Sequence, residues 1–257
     1  MISKNLIKYI RSLELKKNRT KEGTFVAEGP KVVADLMEIY SPRQLVATEE
    51  WFNSNHIDIR PQDTAVTEDE LRKVSFLQHP QKVIGIFNIP DTKLDLSVCE
   101  RELCLALDKV QDPGNLGTII RIADWFGIST IFCSNDTADA FNPKVVQATM
   151  GSIAHVNIIY TDLNKLIEQK PSNVLVYGTA LNGTDIYNQE LTPTGIIVMG
   201  NEGNGISQQI LSKVDKSLFI PCYQRDRNTD SLNVAMATAL TCAEFRRQTR
   251  NKSNNQL

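Results

Sequence analysis

A chain of 257 residues can hold one large α/β domain or two smaller ones. With 41% hydrophobic and 23% charged residues it has the composition of a globular protein, which excludes the fibrous and intrinsically disordered classes. A formal net charge of −2 rules out a uniformly basic surface, and no apolar run approaches the ~20 residues of a membrane span.

In chain order, Leu6, Ile7, Ile10 and Leu13 recur at helical spacing within residues 3 to 15, with Ser3 placed as the cap. Thr24 to Ala27 reads as a short buried strand. Glu28-Gly29-Pro30 turns the chain into a helix through Val32, Val33, Leu36 and Met37, Pro30 suiting the first helical position. Gln44 to Thr48 reads as a strand, Glu68 to Val74 as a helix capped by Thr67, and Val83 to Phe87 as a further strand. This alternation predicts a small α/β domain over residues 1–92, and residues 93–101, which lack a clear period, read as a linker.

Leu103 to Leu107 is a continuous apolar strand of the parallel-sheet kind. A helix over Thr118 to Phe126 follows, then a strand over Ser129 to Cys133, a helix over Val145 to Met150 and a strand over Val156 to Tyr160. After a helix at Leu163 to Gln169 come strands at Val174 to Tyr177, Ile196 to Met199 and Ser217 to Ile220, and a last helix from Leu232 to Arg247. These elements predict a second α/β domain over residues 102–248, and the polar residues 249–257 read as a disordered tail. Pattern alone gives a doubly wound parallel sheet, since knots are essentially absent from general topology rules.

The five cysteines are scattered without a Cys-x-x-Cys pair, so small buried side chains in a reducing cytoplasm are expected rather than a metal site or disulfide framework. The N-terminus, from Met1 to Arg11, breaks its apolar positions with charge, unlike a signal peptide. Basic residues concentrate at Lys4, Lys8, Arg11, Lys16, Lys17, Arg19 and Lys21, and again at Arg225, Arg227, Arg246, Arg247, Arg250 and Lys252. Either group alone is accounted for by a solvated helix face; both together suit phosphate contacts.

Three constellations carry chemistry. Ile196-Ile-Val-Met-Gly-Asn-Glu-Gly-Asn-Gly-Ile-Ser207 runs from an apolar strand into a glycine-rich loop. Its order, G-x-x-G-x-G after a late strand, does not match the dinucleotide fingerprint G-x-G-x-x-G, and no Lys-Ser/Thr follows as in a phosphate loop. An ordinary strand-to-helix turn accounts for it equally. In Asp112-Pro-Gly-Asn-Leu-Gly-Thr-Ile-Ile-Arg121, the first four residues are strong turn chemistry, and Arg121 either snorkels from a buried helix or serves a site. Ser231-Leu-Asn-Val234 opens a helix, where Ser231 could be only an N-cap.

Taken together these motifs resemble the SpoU/TrmH branch of the SPOUT RNA methyltransferases, and the likeness covers nearly the whole chain. The resemblance implies an α/β fold with a deep trefoil knot in the second domain and a homodimer. It implies transfer of a methyl group from S-adenosylmethionine to a ribose 2′-hydroxyl of rRNA or tRNA. The family's cofactor positions fall on Thr179, Ala180, Leu181, Gly200, Asn201, Gly205, Ile220 and Leu232, and its catalytic positions on Asn115, Arg121, Glu202, Ser231 and Asn233. Arg121 would engage the 2′-hydroxyl or its phosphate, Asn115 would order the loop, and a phosphate oxygen or Glu202 would help take the proton.

Phe25-Val-Ala-Glu-Gly29 and His79-Pro-Gln-Lys-Val-Ile-Gly-Ile86 are similar to the family's L30e-like RNA-recognition domain. RNA contacts are then implied for Lys16, Lys17, Arg19 and Glu28, and for Arg225 and Arg227. The segment Cys222 to Asp230 is longer than the family's usual loop, lacks glycine and carries both of those arginines. Two other readings compete: a non-catalytic RNA-binding or ribosome-assembly protein that kept the fold, and a nucleotide-linked oxidoreductase, which fails on glycine order.

Overall fold

The structure, a computed structural model, describes residues 1–223 and 232–254, with side chains through Arg250. Contacts divide it into two units: Met1–Asp91 with Asp139–Ala154, and Thr92–Ala138 with His155–Leu257.

In the first unit, α1 (Lys4–Ser12) is capped by Ser3, whose side chain accepts from the Leu6 amide, as the sequence predicts. Next come α2 (Lys16–Glu22), β1 (Thr24–Glu28), α3 (Pro30–Met37), β2 (Gln44–Thr48), α4 (Glu49–Ser54), β3 (Thr64–Val66), α5 (Glu68–Val74) and β4 (Val83–Asn88). The strands form one sheet in the order β1-β4-β2-β3, antiparallel except for β2 with β3. Alternation along β1 sends Val26 into a core with Ile10, Leu13, Leu71 and Val74, while Phe25 faces the other way and meets Phe141 at 5.0 Å between ring centroids. Phe141 belongs to the later segment, which the sequence places in the second domain. Arg19 crosses to that segment too, as described below.

The second unit opens with α6 (Val98–Arg101), a short helix inside the stretch read as linker, followed by β5 (Leu103–Leu107), α7 (Pro113–Trp125) and β6 (Thr130–Cys133). After α8 (Pro143–Thr149), which packs in the first unit, come β7 (Asn157–Tyr160), α9 (Leu163–Gln169), β8 (Val176–Asp185), β9 (Gly195–Met199), α10 (Gln208–Leu211), β10 (Lys216–Phe219) and α11 (Val234–Asn254). The six strands are all parallel, in the order β10-β8-β9-β5-β6-β7. Both faces are covered. Cys104, Ala106, Val176, Ile196 and Val198 pack with Leu163, Leu166 and Ile210, and on the opposite face Tyr177 meets Phe245 of α11 edge-on at 4.9 Å.

Two boundaries differ from the sequence reading for identifiable reasons. Helix α7 begins at Pro113 rather than Thr118, because Asp112 caps it through the Asn115 amide (2.7 Å) and proline takes the first position. Helix α11 runs to Asn254, through most of the residues read as a disordered tail. No helix among the described residues is long and apolar enough to cross a membrane.

Candidate active site

The sequence of β8 is polar beyond Gly178, and its pairing reflects this. Ser217 of β10 lies opposite Gly178 but Leu218 lies opposite Thr184, so the intervening residues of β8 leave the ladder. Thr179, Ala180, Leu181 and Asn182 thereby become one wall of a cavity of about 430 Å³. Its second wall is the loop after β9. Asn201 and Gly205 exchange both backbone hydrogen bonds at 2.9 Å, and the Asn201 carboxamide oxygen accepts the amides of Gly203 and Asn204 at 3.0 Å each. This closes the loop so tightly that a Cβ on Gly200 would lie 2.1 Å from the Gly205 carbonyl carbon. Only glycine fits there, for reasons of approach rather than φ. Ile220 and Leu232 complete the lining beside Met199, Leu218 and Phe219.

All eight residues that the sequence assigns to a cofactor therefore line one cavity. Among the lining residues that sequence reasoning missed, Asn182, Met199 and Phe219 each adjoin an assigned position, the last two on the ends of β9 and β10, which was the available signal. A cavity walled by apolar strand ends and a turn that admits no side chain at Gly200 fits a nucleoside-bearing cofactor. Among the described residues no group of three or more His, Cys, Asp or Glu side chains is placed to hold a metal ion.

Beside this cavity three distant segments are tied by side-chain amides. Glu202 accepts from four donors: the backbone amides of Gln111 (3.3 Å) and Asp112 (3.2 Å), Asn115 Nδ2 (3.1 Å) and Asn201 Nδ2 (3.3 Å). With its Nδ2 committed to a carboxylate, Asn115 turns its Oδ1 to Asn233 Nδ2 at 2.9 Å. Asn233 in turn caps α11, its Oδ1 accepting the amides of Ala235 (3.0 Å) and Met236 (3.3 Å). The cap seen here is thus Asn233. Asn201 Nδ2 also reaches the Lys109 carbonyl at 2.8 Å, so its side chain holds the loop.

Arg121 stands apart. It is exposed on α7, about 9 Å of helical rise beyond Asn115, and its guanidinium makes no hydrogen bond among the described residues. Ser231, Arg225 and Arg227 lie outside the described residues.

Of the residues assigned to RNA, Lys16 and Lys17 are exposed on α2. Arg19 is not available: 1% exposed, it pairs with Asp139 through Nε (3.1 Å) and Nη2 and donates from Nη1 to the carbonyls of Leu13 (2.7 Å) and Glu14 (2.8 Å). Its guanidinium is a tie inside the first unit, and its basic spacing in sequence gave no hint of a partner 120 residues away. Glu28 is likewise buried, accepting from the Ser75 hydroxyl and the Phe76 amide, and burial raises its pKa above the ordinary glutamate value against those hydrogen bonds.

Comparison with known proteins fits this arrangement. Residues 102–243 match the model of the SpoU rRNA methylase family, and residues 4–85 match that of an MRM3-like substrate-binding domain. The chain is 33% identical over 245 residues, 93% of its length and 95% of the relative's, to the Bacillus subtilis 23S rRNA (guanosine(2553)-2′-O)-methyltransferase RlmP. Among solved structures it is similar to an RNA methyltransferase assigned to the TrmH family from Porphyromonas gingivalis, with 36% identity, TM-score 0.87, and 96% and 99% of the two chains covered. It also resembles an AdoMet-bound rRNA methyltransferase from Sinorhizobium meliloti at 30% identity and TM-score 0.82, covering 96% of each chain. A fully parallel sheet with this cavity at its strand ends is the fold of a SPOUT-class methyltransferase. The chain belongs to the SpoU rRNA methylase family.

Proposed function

We propose that the chain methylates a ribose 2′-hydroxyl of ribosomal RNA with S-adenosylmethionine, and that its target is a guanosine of 23S rRNA. The observation that carries this is the convergence of Asn115, Glu202 and Asn233 beside a cavity lined by every residue assigned to the cofactor. The substrate class rests on the name of the Bacillus subtilis relative, and action on rRNA is in keeping with a cytoplasmic location.

The cofactor supplies an electrophilic methyl group on a sulfonium sulfur. Main-chain groups of Gly200, Asn201 and Gly205 and the apolar walls at Ile220 and Leu232 would hold it, a rigid grip that serves alignment and costs little reorganisation. Arg121 stabilises negative charge building on the ribose oxygen through its planar guanidinium. Glu202 already receives four N–H donors, so it orders the site, which leaves a substrate phosphate oxygen to take the proton.

The protein acts as a homodimer in this reading. Helix α11 buries Val234, Ala235, Thr238, Cys242 and Phe245 but leaves Met236 and Leu240 exposed, in line with exposed Leu232, while Trp125 at the end of the adjoining α7 is 85% exposed. An apolar stripe of this kind on two packed helices suits a self-complementary contact. Sedimentation equilibrium tests the dimer; a monomer at working concentration would refute it.

Calorimetric titration with S-adenosylmethionine, followed by mass-spectrometric mapping of 2′-O-methylation in 23S rRNA from a strain lacking the gene, tests the activity. Cofactor binding and loss of a single guanosine mark are expected. An unchanged methylation map, or no cofactor binding, would remove the reading.

A further inference from the structure

A second cavity, of about 330 Å³, opens in the first unit. It forms where two motifs distant in sequence meet: Pro30 comes from the Glu28-Gly29-Pro30 turn, and Pro80, Gln81 and Lys82 from the segment before β4. Helix α5 closes it with Leu71 and two charged side chains, Glu68 and Arg72.

The backbone around it is held in conformations that side chains rarely adopt. Gly29 has φ +94° and Lys82 has φ +31°. Both are fixed from outside the cavity, the Gly29 amide donating to the Val83 carbonyl at 3.0 Å and the Thr48 amide to the Lys82 carbonyl at 2.9 Å. A Cβ at position 29 would come within 3.2 Å of Gln81 Oε1, so glycine leaves room for that carboxamide. Backbone strain of this sort concentrates at ligand sites.

We propose that this cavity receives one unstacked nucleotide of the RNA substrate, with Arg72 and Lys82 on flanking phosphates and the Gln81 carboxamide on the base edge. The proposal rests on the RNA-methyltransferase reading above. The volume lies at the small end of ligand pockets. Pro30 and Pro80 give a base an apolar surface to lie on above buried Leu71, and single-stranded RNA is read through splayed bases held in this way. Among the described residues Arg72 and Lys82 pair only with Asp69 and Glu50, both largely exposed; such surface pairs are weak and exchange readily for a phosphate. Glu68 at the lining disfavours a bare polyanion, which selects a nucleotide over inorganic phosphate.

The test is fluorescence anisotropy of the full chain with a labelled single-stranded RNA of about ten nucleotides, and with its duplex, across a salt series. Arg72→Ala, Lys82→Asn and Gln81→Ala are compared with the unaltered chain, alongside S-adenosylmethionine titration and thermal melts. Each cation variant is expected to bind the single strand about fivefold to tenfold more weakly and to lower the slope of log K against log salt by about 0.7. Gln81→Ala should weaken binding without changing the slope, duplex should bind less well than single strand, and cofactor affinity and melting should stay unchanged. Unaltered RNA affinity and salt slope in all three variants would overturn the site while leaving the methyltransferase reading intact, as would preference for duplex. An unaltered chain that binds neither RNA nor cofactor would sink both.

Discussion

Glu202 fixes which way the Asn115 carboxamide points: a carboxylate can only accept, so Asn115 Nδ2 faces it at 3.1 Å and Oδ1 is left for Asn233. Glu202→Gln would place an NH₂ among four converging donors and reverse that polarity. An unmatched donor costs about 1–3 kcal/mol when buried and less at these part-buried and exposed positions, so turnover is expected to fall up to about tenfold. The pH–rate profile should keep its shape, because the carboxylate orders the site rather than taking the proton. Loss of the acidic limb in Glu202→Gln would instead make it the base.

Arg121→Lys retains the charge but not the planar fork. RNA affinity is expected to hold while the single-turnover methylation rate drops by roughly a hundredfold, the scale for loss of one charge-stabilising donor. Near-wild-type single turnover would disprove the assignment.

Gly200→Ala forces a methyl group to within 2.2 Å of the Ile206 nitrogen. The clash is with backbone, so the loop must open. Calorimetry is expected to show S-adenosylmethionine binding weakened about tenfold to a hundredfold, equivalent to roughly 1–3 kcal/mol, with the melting of the first unit untouched.

Arg19→Ala strands Asp139 and leaves the Leu13 and Glu14 carbonyls without their donor. Breaking a buried pair from one side costs about 3–5 kcal/mol, which denaturant titration would register as a lowered midpoint. A change under about 1 kcal/mol would place the Arg19–Asp139 pair among surface contacts.

Glu28 and Asp63 should give the first unit opposite pH responses. Burial raises the pKa of Glu28, so the folded state holds its proton more firmly, and its contribution to stability declines as pH climbs from the ordinary glutamate value through the raised folded one. Burial also pushes Asp63 up, but hydrogen bonds from Arg60 and from the Leu45 and Arg60 amides outweigh it and leave its pKa lowered. Its contribution is present above the ordinary aspartate value and is lost as pH falls through the lowered folded one. Melting curves across pH should show Glu28→Gln gaining on the wild type as pH rises. The deficit of Asp63→Asn should shrink on acidification; parallel curves for either variant would contradict the assignment.

Much of the site was legible because its residues sit at strand ends and a helix start, where apolar runs stop abruptly. Gly200, Ile220 and Leu232 are such positions. The polarity of Asn115 was not legible, since it depends on Glu202 meeting the start of α7 in space. The start of α7 was misread because Asp112-Pro-Gly serves a turn and an N-cap equally well. Helices α2, α4, α6 and α10 and strand β3 went unread because each is short and α2, with the sequence Lys-Lys-Asn-Arg-Thr-Lys-Glu, carries no apolar residue to set a period. Arg19 was read as a surface cation because a local sequence window carries no trace of Asp139.

The first unit is completed by Asp139–Ala154, which places Phe141 on Phe25 and Asp139 on Arg19. Synthesis runs from the N-terminus, and domains ordinarily fold as they emerge. Here β1 leaves the ribosome with part of its cover still unmade: β5, α7 and β6 must be translated before Phe141 exists. The amino-terminal part therefore waits, partly exposed, on the synthesis of its neighbour, and a stop codon or protease cut near residue 92 would yield a fragment lacking both contacts rather than a finished domain.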